Sequence, residues 1–198
     1  MNNNFSRKEF IEICKKFNSG AAVREVVIEY SSSSYFNKVK KAVETDRRGE
    51  VAFCVVRPDG RLITVTCEEY PSGTFRVPTG GIGYNEDIVN AVYRETKEEL
   101  GLKAEITDFA GVIKIRFVHN SCHVMFYSYL FILREISGNL LKDAADNEVS
   151  EVREVSVDEL EAVALSLKNL SGKWSDWGRF RYETTNAIYR YLKSGSII

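Results

Sequence analysis

The sequence predicts a domain of the α/β (α+β) class, and three observations carry that prediction. Two long β-rich runs, "EITDFAGVIKIRFVHN" and "SCHVMFYSYLFILREI", follow one another in the middle of the chain. Residues 88–101 and 156–193 instead repeat apolar side chains at helical spacing. The change of period, strands in the middle with helices between and after them, is that of a mixed sheet covered by helices.

Residues 6–17, "SRKEFIEICKKF", place Phe10, Ile11, Cys14 and Phe17 on one side of a helix behind Ser6 as N-cap. The segment "VREVVIEY" fits helix or strand equally, "SSSS" breaks it, and "YFNKVKKAVET" reads as a second short helix. Residues 1–46 are therefore expected to form a helical arm ahead of the main domain at 47–198. From residue 50, "EVAFCVVRP" and "RLITVTCEEY" are strands joined by the turn "PDGR". "SGTFRVPTGG" follows as a loop and short strand, "EVREVSV" is a further strand, and Ser156 with Glu159 forms a capping box ahead of Leu160, Val163 and Leu167. The C-terminal helix spans about 176–193, its apolar side including Ile188, Tyr189 and Leu192.

Composition narrows the function. The chain has 198 residues, enough for one domain with additions, and 27 basic against 28 acidic residues, a formal net charge of -1. No global basic field exists to gather nucleic acid or an anionic membrane, so any phosphate recognition has to be local or arranged through a metal. Cys14, Cys54, Cys67 and Cys122 lack metal-type spacing and read as isolated thiols, two or more of them in the core. The start of the chain has no signal-peptide pattern, and "VMFYSYLFIL" is half the length of a membrane span. A cytoplasmic protein is expected.

The informative stretch is "GGIGYNEDIVNAVYRETKEELGL", residues 80–102. At 100° per residue, Ile88, Val89, Val92 and Leu100 form the buried face. Glu95, Glu98 and Glu99 form one cluster on its flank, at the i, i+3, i+4 spacing that brings side chains together. Three like charges there repel one another. Arg94 supplies one compensating charge, and a divalent cation held by carboxylate oxygens would supply the rest. Gly80, Gly81 and Gly83 would let the preceding loop bend sharply and approach a ligand. Gly101 ends the helix as a C′ residue.

This stretch resembles the Nudix signature: Gly, five residues, Glu, seven residues, Arg-Glu, an aliphatic residue, any residue, Glu-Glu, any residue, Gly, an aliphatic residue. Here these are Gly80, Glu86, Arg94, Glu95, Thr96, Lys97, Glu98, Glu99, Leu100, Gly101 and Leu102. Thr96 departs from the usual apolar residue, and its hydroxyl would need a partner such as the carbonyl one turn back. The resemblance extends over about residues 48–165. It implies a mixed β-sheet sandwiched between helices, and hydrolysis of a nucleoside diphosphate linked to another moiety with Mg²⁺ or Mn²⁺.

Carried over position by position, it implies Glu95, Glu98 and Glu99 as metal ligands with the main-chain carbonyl near Gly80. One of the glutamates would deprotonate water, Arg94 would orient them and Glu86 would support the helix start. Further candidates outside the box are Glu148 and Glu151, and Arg57 and Arg76 for phosphate. His119 and His123 at the expected hairpin tip read as polar loop residues rather than as a metal-binding or basic pair, and Trp174, Trp177, Phe180 and Tyr182 as docking the last helix on the sheet or a partner subunit rather than as a stack for a nucleobase. Phe117, Val118, His119 and Asn120 stand where some subgroups carry a substrate-linked proline or tyrosine, so neither subgroup is indicated.

The competing class is a Nudix-fold module that binds a nucleotide without cutting it. Such modules usually lose box glutamates, and none is lost here. A DNA-binding attachment has no room, because the residues after 155 are few and not notably basic. A nucleotide-type small molecule is the expected partner, with neither DNA nor membrane. A homodimer is suggested by the need to bury Phe10, Ile11 and Phe17.

Overall fold

The structure, a computed structural model, describes residues 5–197. Five α-helices and seven strands are found among them: α1 (Arg7–Phe17), β1 (Ala22–Glu29), α2 (Ser33–Thr45), β2 (Arg47–Val56), β3 (Leu62–Thr66), β4 (Thr79–Gly83), α3 (Ile88–Leu100), β5 (Leu102–His119), β6 (Cys122–Gly138), β7 (Glu151–Val155), α4 (Val157–Lys168) and α5 (Ser175–Ser194). The strands form one mixed sheet in the order β1-β5-β6-β2-β3-β7, with β4 paired to the first half of β2. β5 and β6 are the long antiparallel pair, while β1/β5 and β2/β6 run parallel.

Strand alternation divides the core between the two sheet faces. Val51, Phe53 and Val55 of β2 face α1 and α3, where they meet Ile13, Ile88, Val92 and Leu100. Ala52 and Cys54 face the other way, toward Phe36 of α2, Leu160 and Val163 of α4, and Phe180 and Ile188 of α5. The sheet is therefore sandwiched between helices, as the sequence predicts.

The opening segment departs from expectation. It is not a purely helical arm, because "AVREVVIE" forms β1 and pairs with β5 from Ala22↔Gly111 to Glu29↔Val118. Its β-branched residues alternate across the strand, with Val26 and Ile28 turned to the core and Val23 and Val27 to solvent. α1, capped by Ser6, lies on the same sheet: Phe10 meets Phe109 edge-on and Phe17 meets Phe131. Phe10 and Phe17 thus find their burial within this chain, and Ile11 stays exposed. That removes the reason advanced for a dimer.

Cys54 is fully buried in the core and half-buried Cys14 packs against the core from α1, while Cys67 is half-buried and Cys122 exposed. Among the described residues no helix is long and apolar enough to cross a membrane.

Candidate active site

α3 begins at Asp87, whose side chain accepts the N–H of Asn90, and ends at Gly101, whose φ of 69° is the left-handed conformation glycine adopts without strain. Its buried residues are Ile88, Ala91, Val92, Glu95, Thr96, Glu99 and Leu100. Two of the three clustered glutamates therefore lie inside the buried face rather than on its flank, and Glu98 stays half-exposed. Thr96 donates its hydroxyl to the Val92 carbonyl at 2.7 Å, which satisfies a buried polar group one turn back along the helix.

The glycines before the helix act differently from expectation. Residues 79–83 form strand β4, and Gly80, Gly81 and Gly83 are absent from the residues with positive φ. Gly80 pairs with Val51. A Cβ built on it would lie 1.9 Å from Cδ of Glu95, so glycine is required there for close approach of the glutamate to the strand.

Arg94 is the hub of the acidic cluster. Its guanidinium grips Glu86 with two bonds, Nε to Oε1 at 2.7 Å and Nη2 to Oε2 at 3.0 Å, a fork that lysine cannot form. Nη2 also donates to the Gly81 carbonyl at 2.8 Å, and Nη1 to Glu95 Oε1 at 2.7 Å and Glu98 Oε2 at 3.0 Å. Glu86 additionally accepts the N–H of Gly83. These bonds, Arg94's first among them, hold the Glu86 carboxyl below its usual range.

Glu99 sits differently. It is buried, and its Oε2 has no hydrogen-bond partner among the described residues. Burial pushes its pKa up to about 8, helped by the negative charges of Glu95, Glu148 and Asp146 and opposed by Arg76. Glu95 is also raised, by burial first, with Arg94 opposing.

The remaining candidates separate. Glu148 comes close because the segment after β6 docks on the end of α3, with Ala145 and Asp146 donating N–H groups to the Glu98 carbonyl. It is exposed and near enough to act electrostatically on both Glu95 and Glu99. Asp146 joins the same cluster and was missed, since nothing in its local sequence tells it from a solvated loop acid. Glu151, at the start of β7, lines a separate polar hollow with Thr66, Tyr70 and Arg153.

Arg76 is buried beside Glu99, with Nη1 donating to the Val77 carbonyl and to Thr79 Oγ1, both at 3.0 Å, and Nε to the Tyr70 hydroxyl at 3.2 Å. Arg57 lies at the other end of β2, paired with Glu135 at 2.8 Å and Glu154 at 3.4 Å. His119 is held by the Tyr30 carbonyl at the hairpin end, and His123 is exposed. Trp174 and Trp177 pack with Tyr70, the first two rings edge-on to each other.

Fold and site together define a mixed-sheet sandwich with an acid-lined helix set against a glycine strand. Over residues 46–178 the chain matches the family model described as NUDIX domain, and it belongs to the Nudix family. It is 38% identical over 64 residues to a MutT-like protein of Streptomyces ambofaciens, an alignment covering 32% of this chain and 40% of that one. It is 33% identical over 84 residues to Nudix hydrolase 8 of Arabidopsis thaliana, covering 40% of this chain and 21% of that one. The chain thus spans less than half the length of either relative.

Similar solved structures include a NUDIX hydrolase from Nitrosomonas europaea, at 18% identity and TM-score 0.47, covering 67% of this chain and 86% of that one. Another is a UDP-X diphosphatase, at 14% identity and TM-score 0.48, covering 82% and 73%. At that similarity nothing about this site follows from them.

Proposed function

We propose that the protein is a hydrolase that cleaves the pyrophosphate linkage of a nucleoside diphosphate joined to another moiety. In this reading Glu95, Glu98, Glu99 and the Gly80 carbonyl hold Mg²⁺ or Mn²⁺. The observation that carries it is the buried Glu99 oxygen with no partner, standing in a cluster of carboxylates beside a strand that only glycine allows to come so close.

Among the described residues no three acidic, histidine or cysteine side chains stand together in a metal-holding arrangement. Arg94 Nη1 takes one oxygen from each of Glu95 and Glu98. The donor set nevertheless suits a hard divalent cation: the donors are oxygens, several of them carboxylate. A buried carboxyl oxygen with no partner is costly unless a proton or a cation meets it, and a bound cation would displace the proton that Glu99 otherwise keeps.

Held by these residues, a divalent cation would supply charge neutralisation of the diphosphate, a more acidic water and stabilisation of the leaving phosphate. The chain's own residues do the rest. Arg94 fixes the side chains of Glu95 and Glu98, and Glu86 fixes Arg94. In this reading the base that takes a proton from the attacking water is half-exposed Glu98 or exposed Glu148, since water reaches them more readily than buried Glu99.

The test is chromatographic detection of the nucleoside monophosphate released from a panel of NDP-sugars, NTPs, ADP-ribose and dinucleotides with Mg²⁺, for the wild type and Glu98→Gln. Wild-type turnover lost in the variant supports the reading. Equal inertness across the panel overturns it in favour of a nucleotide-binding module.

A further inference from the structure

The side of α3 turned away from Glu95 borders a cavity of about 740 Å³, which opens between that helix, the start of β5 and the end of β6. Tyr93, Lys97, Leu102, Lys103, Ala104 and Ile136 stand in its wall. At 100° per residue, Tyr93 and Lys97 each lie about 160° around the helix from Glu95. We propose that this cavity binds a small amphiphilic anion, an apolar body carrying one anionic head. The site shares no wall residue with Glu95, Glu98 and Glu99 and does not rest on the hydrolase reading.

The wall suits an apolar body. Tyr93 and Ile136 are large and apolar, yet remain 41% and 54% exposed. Exposed apolar surface gathered around a concavity marks a binding groove. Ile136 owes its place to the sheet register. Lys103 pairs with Ser137 and Ala104 with Glu135, so Ile136 is an extra residue on β6. A bulge of this kind re-aims a side chain, and here the residue it adds lines the cavity. Leu102 and Ala104, two residues apart on β5, share a face of the strand and are buried. The volume lies within the roughly 300–1,000 Å³ of small-molecule pockets.

The charged groups of the lining set the sign of the head. Its acids are engaged: Glu105 pairs with Arg134, and Asp143 Oδ2 accepts from the N–H and from Nδ2 of Asn139, both at 2.9 Å. Its cations are not. Lys97 and Lys103 are exposed and have no ion-pair partner among the described residues. A lysine stem can cover apolar surface while its ammonium meets a head group at the rim. A neutral hydrocarbon leaves both ammonium groups unused, and a cationic amphiphile is repelled by them.

The end of the cavity is preformed. A Cβ on Gly101 would stand 2.6 Å from the Asp143 carbonyl carbon and from the Ala144 nitrogen, so the segment after β6 is pressed onto the end of α3. The Leu141 N–H donates to the Leu100 carbonyl at 2.9 Å and holds it there. A site already in shape loses little to ordering when a ligand enters.

The experiment is calorimetric titration of the full chain with decanoate, with decanol, decylammonium and acetate as controls. Decanoate is expected to bind on the order of a hundredfold more tightly than acetate, as its methylenes leave water, and more tightly than decylammonium. Ile136→Asp is expected to weaken decanoate on the order of tenfold, because it sets a charge against the apolar body. Lys97→Glu combined with Lys103→Glu is expected to reverse the preference between decanoate and decylammonium and to leave decanol unchanged. All three residues are exposed, so the variants report on the cavity rather than on folding.

Decanoate bound no more tightly than acetate overturns the proposal. Decanoate affinity indifferent to Ile136→Asp overturns it too, since the chain then lies elsewhere. A preference for decanoate over decylammonium that survives exchange of both lysines removes the assigned head-group site.

Discussion

Gly80 and Glu95 stand so close that a single added methyl group on the glycine would overlap the glutamate carboxyl, at 1.9 Å from its Cδ. Strand β4 and helix α3 are thereby locked in one spacing, set by the smallest side chain and the longest acidic one.

Gly80→Ala is expected to displace Glu95 or push the strand away. Overpacking of this kind costs about 1–3 kcal/mol, read as a lowered midpoint in urea. Mn²⁺ binding, followed by electron paramagnetic resonance, should weaken in the same variant. An alanine protein with unchanged stability and unchanged Mn²⁺ affinity would show that the spacing is not critical.

Arg94→Lys tests the hub. Lysine keeps the charge but loses the fork that grips Glu86 while the other arm holds Glu95 and Glu98. Groups that orient ligands are typically worth 10–100-fold in metal affinity or activity, so roughly that loss is expected in Mn²⁺ titrations, with the thermal transition little changed.

Glu99 predicts a pH dependence in metal-free protein. Its folded pKa of about 8 lies above the ordinary 4.5, so the folded state keeps a proton that the unfolded chain releases between those values. The stability that protonation contributes is present below about 4.5 and is lost as pH rises through about 8. In urea titrations with chelator at pH 5, 7 and 9, wild type should lose more stability across the range than Glu99→Gln, by up to a few kcal/mol. Parallel curves would contradict it.

Asp176 predicts the opposite sign. It is buried at the start of α5, accepting from Ser31 Oγ, the Ser32 N–H and Arg179. Burial alone would raise its carboxyl, but these hydrogen bonds outweigh it and hold the group below its usual range. Its contribution is present above the ordinary 3.8 and lost as pH falls through the lowered folded value. Asp176→Ala should cost roughly 1–3 kcal/mol at pH 7, with the deficit shrinking toward pH 2 in denaturant titrations.

How much of this was legible in advance can be followed residue by residue. The capping box at Ser156 and Glu159, the helix end at Gly101, the Thr96 back-bond and the β5–β6 pair all depend on neighbours a few residues away or on one run's own periodicity. Local rules of that kind survive folding because the interacting groups travel together along the chain.

The segment "VREVVIEY" could not be decided, because a short apolar run takes its state from whatever lies beside it, here β5 some 90 residues later. The glycines at 80–83 were legible as a requirement but not as a reason: close approach and sharp bending ask for the same residue. Asp146 carries no local mark at all.

By itself the sequence determined the helices and strands with strong periods, the carboxylate cluster on α3 and the arginine beside it, since each is written within one or two turns of chain. Only the tertiary structure decided that Glu95 and Glu99 are buried, that Glu148 joins them while Arg57 is engaged elsewhere, and that residues before 46 complete the sheet. Burial and long-range proximity are properties of the packed whole, where the sheet alignment sets which distant side chains share a face.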